Sequence, residues 1–365
     1  MYNIYDYLNN YKDVTLDEVS WNMVDNLLCS ILSYSKIPAF KEKKNIKDYC
    51  KLIIDTDVPN KGWYMAKQVQ DIAKILINSK RYEDMIFYNY VYQLDENTQF
   101  SALSIKIKKI KIISFEGSDG TTIGWYENMK LSYMYPTYTQ KLATDYLKDA
   151  INKKYEKLYV LGHSKGGNLA MSGAMLLDDK RFNRITKVIN FDGPGFLKEQ
   201  FNSKEYKKLK TKLINVLPEK SYVGSLMYND GEEIVVRTDA HGINVHFPNT
   251  WEVFGTKLIG YSLDSRGMYL RKVTSTGFDD IDRNEAKNVV DIMFKKLLEK
   301  YDSTIHVSPK EVLGVLESAS RNNLQISKVV LKVMSVLFFS SAIGSKIKVL
   351  GRKDDGSKKN NEDAK

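Results

Sequence analysis

The stretch that decides the fold runs from Leu158 to Met171 and reads LYVLGHSKGGNLAM. Its first residues are apolar or aromatic and predict a short buried strand, whereas the residues from Gly166 onward predict a helix. Between them Gly162, Ser164 and Gly166 form the pattern Gly-x-Ser-x-Gly. Where a strand turns directly into a helix, this pattern holds the serine at a strained backbone angle with its hydroxyl exposed. We therefore predict that Ser164 is a nucleophile on a tight elbow turn.

The pattern requires glycine at positions 162 and 166 for a steric reason. The turn brings both residues too close to their surroundings to leave room for a side chain. The N-terminus of the following helix would present free N–H groups to the serine. The backbone N–H of Lys165 is therefore a predicted donor to a negatively charged oxygen. The alternative is a glycine-rich turn whose serine has no chemical role. The pattern of a standard phosphate-binding loop is absent from the sequence.

Strand and helix patterns alternate around this turn, which predicts a mostly parallel central sheet flanked by helices. The predicted strands are Met85–Leu94, Ser101–Ile107, Lys109–Phe115, Lys157–Leu161, Ile185–Phe191 and Thr211–Leu217, with shorter pieces at Glu233–Arg237 and Trp251–Leu258. The helices predicted between them are Thr137–Lys153, Gly166–Leu177 and Leu197–Leu209.

Helical sections are predicted on both sides of this core. We expect a helical N-terminal section at residues 1–80, the α/β core at 81–265, a helical C-terminal extension at 266–350 and a disordered tail at 351–365. The helices predicted in the two flanking sections are Leu16–Tyr34, Asn45–Ile54, Met65–Ile77, Arg283–Tyr301, Pro309–Ser318 and Leu324–Phe339. The first of these is predicted to begin at a capping box formed by Thr15 and Glu18.

A serine nucleophile needs a base, and the chain contains only four histidines. His246 lies in a loop-like stretch after the strands, and hydrolases with this elbow place serine, acid and histidine in that chain order. We therefore favour His246 as the base, with His241 and His306 as alternatives. His163, beside the serine, is predicted to support the turn rather than to take the proton.

The acid that orients the histidine should follow a strand between Ser164 and His246. Glu219 follows the last full parallel strand and is the favoured residue. Asp192, at the end of the strand after the elbow, and Asp230 remain as alternatives, and Asp192 could instead be a turn-forming residue.

A second donor to the negatively charged oxygen should come from a loop after an earlier strand. The apolar stretch Ile112–Phe115 runs into Gly117-Ser118-Asp119. Ser118 could donate through its N–H, its hydroxyl or both. The alternative is an ordinary Asp-Gly turn.

Composition limits the partners of the chain. Its 55 basic and 45 acidic residues give a net charge of +10, with the lysines spread along the sequence. No nucleic-acid-binding motif is present, so we expect no nucleic-acid partner. The two cysteines, Cys29 and Cys50, exclude a disulfide scaffold and a cysteine-rich zinc module. We expect neither a metal nor a cofactor.

The ends of the chain bear on localisation. Residues 1–10 lack the basic segment and apolar run of a secretory signal, so we expect a cytoplasmic protein. The uncharged stretch Val333–Ser345 has 13 residues, whereas a bilayer-spanning helix needs about 20. We favour a packed helix here. A helix lying on an anionic membrane, giving peripheral contact, is the alternative.

These stretches together resemble the class 3 lipase-like α/β-hydrolases and, more closely, the bacterial Mbeg1-like family. The resemblance covers about residues 1–258. The stretches that carry it are YDYL from Tyr5, LDEVSWNMVDNLLCSILSY from Leu16, SFEGSDGTTIGWYENMKL from Ser114, LGHSKGGNLA from Leu161, INFDGPGF from Ile189, NVLPEKSYVG from Asn215 and HFPNTWEV from His246.

The resemblance implies an α/β-hydrolase fold and cleavage of a carboxylic ester, lipid-like in character, through an acyl-enzyme on Ser164. Three positions depart from the lipase pattern. Glu116 stands where relatives carry arginine, and Pro218-Glu219 stands where lipases place an aspartate. Lys165 replaces the usual leucine, and its side chain is predicted to add a cation at the mouth of the pocket. The alternatives are an inactive lipid-binding or membrane-associated protein, or a hydrolase acting on another acyl donor.

Overall fold

The computed structural model describes residues 1–58, 64–265, 267–269, 271–272, 279, 282–308, 310–312 and 314–315. In this part of the chain a nine-stranded sheet has the order β1-β2-β3-β4-β5-β6-β7-β8-β11. The four strand pairs from β4 to β8 are parallel, and the remaining pairs of the sheet are antiparallel. The sheet is therefore parallel in its central part, as predicted, and antiparallel at both edges.

The strands have the following bounds: β1 Lys44–Asn45, β2 Ile86–Leu94, β3 Gln99–Ile107, β4 Ile110–Phe115, β5 Lys157–His163, β6 Lys187–Phe191, β7 Leu213–Pro218, β8 Glu232–Val236, β9 Val253–Phe254, β10 Lys257–Leu258 and β11 Gly260–Tyr261. Strands β9 and β10 form a separate hairpin.

The helices are α1 Ile4–Tyr11, α2 Met23–Leu32, α3 Ile46–Asp55, α4 Tyr64–Leu76, α5 Thr122–Lys130, α6 Tyr138–Ala150, α7 Lys165–Met175, α8 Asp179–Arg184, α9 Lys198–Phe201, α10 Lys204–Lys210 and α11 Arg283–Leu298. Short 3₁₀ helices occupy Gly242–His246 and Pro248–Thr250.

Helices cover both faces of the sheet, so the central strands are buried on both sides. In β4, Ile112 belongs to the apolar core shared with α1–α4, while Ile113 belongs to the core shared with α6 and α7. The same alternation places Ile189 of β6 in the first core and Val188 in the second. A run of apolar residues is what such a doubly covered parallel strand requires. A third, smaller core joins α5 to α11.

Several predicted boundaries were wrong for identifiable local reasons. The helix expected over Leu16–Tyr34 starts only at Met23, because Asn22 and Asp25 form the capping box that begins it. Glu18 does accept hydrogen bonds from Thr15, but that contact closes a turn rather than a helix. The helix expected over Leu197–Leu209 is broken at Ser203, whose hydroxyl caps α10.

Three helices were not predicted, α1, α5 and α8, and each starts at a side-chain cap. Asn3 and Asp6 form a capping box at α1, and the Thr121 hydroxyl accepts a hydrogen bond from the N–H of Gly124 at α5. At α8 the Asp178 carboxylate accepts a hydrogen bond from the N–H of Arg181. The helix predicted over Leu324–Phe339, the stretch Val333–Ser345 and the tail at 351–365 lie outside the described residues. No helix of the described residues is long and apolar enough to cross a bilayer.

The close approach of α7 to the sheet gives a first testable prediction. A Cβ atom on Gly166 would lie 2.1 Å from the carbonyl oxygen of Phe115, which is backbone and cannot move aside. Gly166→Ala should therefore lower the free energy of unfolding by about 3 kcal/mol or more in urea denaturation. Gly260→Ala is the matched control, because nothing lies within 4 Å of its Cβ position. Equal stability of the two variants would contradict this packing.

Candidate active site

Ser164 lies at the sharp turn between β5 and α7, and its backbone has φ 60° and ψ −132°. A positive φ is strained for a residue with a side chain. The turn is fixed from both sides, since the Ser164 N–H donates to the carbonyl of Phe191 at 2.9 Å and the Gly167 N–H donates to that of Ser164 at 2.9 Å. A Cβ on Gly162 would lie 2.3 Å from the Gly166 carbonyl. The geometry is that of the predicted elbow.

The loop after β4 lies directly against this turn. A Cβ on Gly117 would come within 2.8 Å of the Ser164 Cβ and 2.6 Å of the His163 carbonyl oxygen. The next residue, Ser118, has a buried hydroxyl with no hydrogen-bond partner among the described residues. Buried hydroxyls are normally paired, so one left free in a pocket is an available donor. Ser118 and the N-terminus of α7, where Lys165 is the first residue, thus stand on either side of Ser164.

The side chain of Lys165 is not at the mouth of the pocket, and this prediction was wrong. Its ammonium is buried and donates to the backbone oxygen of Gln99 at 2.9 Å and to its Oε1 at 2.5 Å. The Gln99 amide in turn donates to the carbonyl of Gly117 at 3.1 Å. Burial lowers the pKa of Lys165, while the carboxylates of Glu127, Asp119 and Glu116 act in the opposite direction. Lys165 therefore ties α7 to the loop through Gln99.

A buried ion cluster holds the same loop from the N-terminal section. The Lys36 ammonium lies 2.5 Å from Glu116 Oε1 and 3.2 Å from Asp119 Oδ2, so it bridges the two ends of the loop. Burial raises the pKa of Glu116 from its ordinary 4.5 to about 7, because Lys36 offsets that burial only in part. Burial by itself would raise the pKa of Asp119. The Lys36 charge and hydrogen bonds from Thr121 outweigh burial, so the pKa of Asp119 is lowered from its ordinary value. The cluster fixes where Ser118 lies.

His246 is held by Asp192, which was named in the sequence analysis as an alternative acid. His246 Nδ1 lies 2.6 Å from Asp192 Oδ2. The other oxygen of the buried Asp192 accepts from the Ser221 hydroxyl at 2.5 Å and from the Gly224 N–H at 3.0 Å. Because a carboxylate only accepts hydrogen bonds, Nδ1 carries the proton and Nε2 keeps its lone pair. This is the tautomer that a general base needs.

His163 supports His246 rather than the serine. Its Nε2 lies 2.8 Å from the His246 carbonyl oxygen, which can only accept, and its Nδ1 lies 2.9 Å from the Tyr34 hydroxyl. The two imidazole rings lie 4.5 Å apart. Burial, together with the neighbouring His246, holds the pKa of His163 well below 6.5. His163 is therefore a neutral ring that fixes the backbone of His246, and Trp251 fixes the adjacent Val245 through a 2.9 Å hydrogen bond.

The other predicted residues lie elsewhere. Glu219, the favoured acid, does not contact His246. Its nearest cation is Lys220 at 3.5 Å, and it borders a separate depression together with the exposed His241. Asp230 forms a surface ion pair with Lys210. Asp192, whose backbone after β6 has a positive φ of 50°, is the predicted acid candidate that contacts His246.

A cavity of about 190 Å³ opens above Ser164, and both Ser164 and His246 line it. No hydrogen bond joins the Ser164 hydroxyl to His246 within the described residues, and such contacts often tighten only when substrate binds. The apolar part of the lining includes Met65, Leu131, Val223, Ile243 and Phe247. No cluster of three or more metal-ligating side chains occurs in the described part of the chain.

The family model named Mbeg1-like matches residues 76–295, which is more than half of the chain. This chain belongs to the Mbeg1-like family. No curated protein matches it.

Among solved structures the chain is similar to lipases. The M37 lipase is 13% identical, the match covers 84% of this chain and 95% of the lipase, and the TM-score is 0.35. The native Rhizomucor miehei lipase propeptide complex is 17% identical, the match covers 70% of this chain and 79% of that chain, and the TM-score is 0.36. The Yarrowia lipolytica Lip2 lipase is 13% identical, the match covers 53% of this chain and 78% of the lipase, and the TM-score is 0.33. The mostly parallel central sheet flanked by helices is itself the architecture predicted for the α/β-hydrolase fold.

Three residues that hold the elbow and the Ser118 loop in this chain, Tyr34, Lys36 and Gln99, were not predicted from the sequence. Tyr34 closes a motif that carried the resemblance, and Lys36 follows two residues later. One signal was present in the sequence, namely that Glu116 stands where lipase relatives carry arginine. A carboxylate in a buried loop requires a nearby cation, so a lysine or arginine partner could have been expected. Nothing local in the sequence indicates that Lys36 supplies it.

The buried Glu116 gives a prediction of pH dependence. Between about pH 4.5 and pH 7 the folded state keeps the Glu116 proton while the unfolded chain loses it, so folding is increasingly penalised as the pH rises. Glu116→Gln removes this penalty. Its stability relative to the unmodified protein should therefore increase between pH 5 and pH 8 in urea denaturation. The exposed Glu83→Gln is the control and should give a constant difference. A constant difference for Glu116→Gln as well would contradict the raised pKa.

Proposed function

We propose that this chain is a serine hydrolase that cleaves carboxylic esters of lipid-like character through an acyl-enzyme. The observation that carries the proposal is the strained Ser164 turn beside the unpaired Ser118 hydroxyl, under a cavity that His246 also lines. Such a juxtaposition has no structural use, because both the strain and the unpaired hydroxyl cost stability. The largely apolar lining favours an acyl chain over a charged substrate.

The reaction follows from the positions of the polar groups. His246 Nε2 takes the proton of Ser164 as the serine oxygen attacks the ester carbonyl. The N–H of Lys165 and the hydroxyl of Ser118 stabilise the negative charge that forms on the carbonyl oxygen. His246 then gives the proton to the departing alcohol, leaving the acyl group on Ser164. Water, deprotonated by His246, attacks this acyl-enzyme and releases the acid. Asp192 stabilises the protonated His246 at each step.

Ser164→Ala tests the nucleophile. It should lower the hydrolysis of short p-nitrophenyl esters at least about 10³-fold, because no other group can form the acyl-enzyme. A fluorophosphonate probe should label the unmodified protein and should not label Ser164→Ala. The exposed Ser20→Ala is the control and should retain both activities. An unmodified protein that the probe does not label would overturn the proposed hydrolase in favour of a binding protein.

Asp192→Asn and Glu219→Gln together test the acid. Asn tolerates the positive φ of Asp192, so the backbone should be preserved. An amide at this position no longer selects the Nδ1–H tautomer of His246, and kcat should fall about 10³- to 10⁴-fold. Glu219→Gln should leave kcat within about twofold, since Glu219 does not contact His246. The reverse order of the two effects would restore Glu219 as the acid.

A further inference from the structure

A second depression, of about 420 Å³, lies at the end of the sheet away from Ser164. Lys111, the second residue of β4, lines it, whereas Phe115 at the other end of β4 lies against the elbow. Four residues of strand separate the two by about 13 Å. The depression shares no described lining residue with the cavity above Ser164, so it is a separate place on the molecule.

The charges around this depression are unbalanced. Four lysines line it, namely Lys43, Lys106, Lys111 and Lys153, and Asp149 is the one carboxylate among its described lining residues. None of the four ammonium groups forms an ion pair within the described part of the chain. The acidic residues next to them in sequence are paired elsewhere, since Glu42 contacts Lys44 and Glu156 contacts Lys109. The depression therefore concentrates positive charge.

Lys111 is the buried member of this set, with 2% of its surface exposed. Its ammonium donates one hydrogen bond, to the Ala150 carbonyl at 2.7 Å, and lies 5.2 Å from the ring centroids of Tyr88 and Tyr155. Burial, and secondarily the charge of Lys153, lowers the pKa of Lys111 to about 8. A buried ammonium without a counter-ion is unfavourable, so a negative charge here would be strongly stabilised.

Strand register brings a second lysine to the same place. Lys106 of β3 lies directly opposite Lys111 of β4, and opposed residues of an antiparallel pair face the same side of the sheet. Two like charges in such a pair are destabilising. The bond to Ala150 alone would make Lys111 a cap at the end of α6. A capping role does not account for a second lysine placed opposite it.

A β-bulge in β2 borders the depression. The pairing of β2 with β3 shifts register between Tyr88 and Val91, and Asn89 has a positive φ of 51°. The Tyr146 hydroxyl fixes this conformation by donating to the Asn89 carbonyl at 2.7 Å. Bulges re-aim side chains and are frequent beside functional sites. The Asn89 side chain lines the depression and adds neutral donors to the charged ones.

We propose that this depression binds a phosphate group, held by the ammonium groups of Lys111 and Lys106. Four lysines against one carboxylate favour a doubly charged group over a singly charged carboxylate. Phosphate oxygens also accept several charge-assisted hydrogen bonds at once. The depression is larger than a phosphate group, which leaves room for the molecule that carries it. This proposal does not depend on the proposed hydrolase, because Ser164 lies in the other cavity.

The same phosphate chemistry occurs in soluble phosphomonoesters and in the headgroup of phosphatidic acid. Binding of inorganic phosphate and of glycerol 3-phosphate is therefore measured by isothermal titration calorimetry at fixed ionic strength. Flotation with phosphatidylcholine vesicles, with and without phosphatidic acid, tests the lipid in the Ser164→Ala protein, which should leave the lipid intact. Lys111→Met should weaken the binding about 10- to 100-fold, because it removes a charge-assisted hydrogen bond.

Lys106→Glu is the second variant, since its side chain is exposed and the change should not disturb folding even if Lys111→Met does. Reversing this charge should weaken the binding roughly fivefold or more. Lys141→Glu is the matched control, with the same change of charge on an exposed residue of α6 outside the depression. It should alter the affinity less than about twofold, because salt screens distant charges.

The two arms identify the source of the phosphate group. Binding of the soluble compounds that Lys106→Glu weakens more than Lys141→Glu would support a small phosphorylated ligand. The same difference in flotation with phosphatidic acid would support a lipid headgroup. Two results would overturn the proposal, namely no binding in either arm, or equal effects of Lys106→Glu and Lys141→Glu. Neither result would bear on the hydrolase, which the ester and fluorophosphonate assays test separately.

Discussion

The structure depends on one close contact, in which the end of β4 and the turn after β5 touch backbone to backbone. Gly162 and Gly166 face each other across the turn, and Gly117 lies on Ser164 itself. Because β4 and β5 are parallel neighbours, their carboxyl ends meet at the same edge of the sheet. The contact leaves no room for side chains on the three glycines, and Ser118 and Ser164 line the cavity beside it. The chemistry at this edge follows from that lack of space.

Buried charges hold this contact in place, although burying a charge is unfavourable by itself. Lys36 and Lys165 approach the Ser118 loop from the N-terminal section and from α7, and Glu116 and Asp119 lie at its two ends. Each cation therefore has a partner on the loop, or on Gln99, which is bonded to it. Apolar side chains could fill the same space, but they would not fix the orientation of the Ser118 loop. Paired charges with hydrogen-bonding geometry fix the direction in which the loop is held.

The sequence predicts the elbow well because its constraints are local. Two glycines and a serine within five residues, after an apolar strand, leave few other structures. Which carboxylate lies beside His246 depends on loop paths, which the sequence does not reveal, and the structure places Asp192 there rather than the favoured Glu219. Glu219 and Asp192 both follow parallel strands. The loop after β7 brings the Ser221 hydroxyl, rather than the Glu219 carboxylate, to this site, where it donates a hydrogen bond to Asp192. The partners of Lys36 and Lys165 lie 66 or more residues away in the chain, so no spacing rule could find them.

The Ser118 loop is contacted from distant parts of the described chain. Lys36 reaches it from before the sheet, Gln99 and Lys165 from β3 and α7, and residues 303–307 from beyond α11. The elbow and the Asp192–His246 pair lie within the core alone and depend on neither flanking section for their hydrogen bonds to each other. Tyr64, Met65 and His306, which lie outside the predicted core, also line the cavity. A substitution at Tyr64 or Met65 would therefore change the wall of the cavity and leave the hydrogen bond between Asp192 and His246 in place.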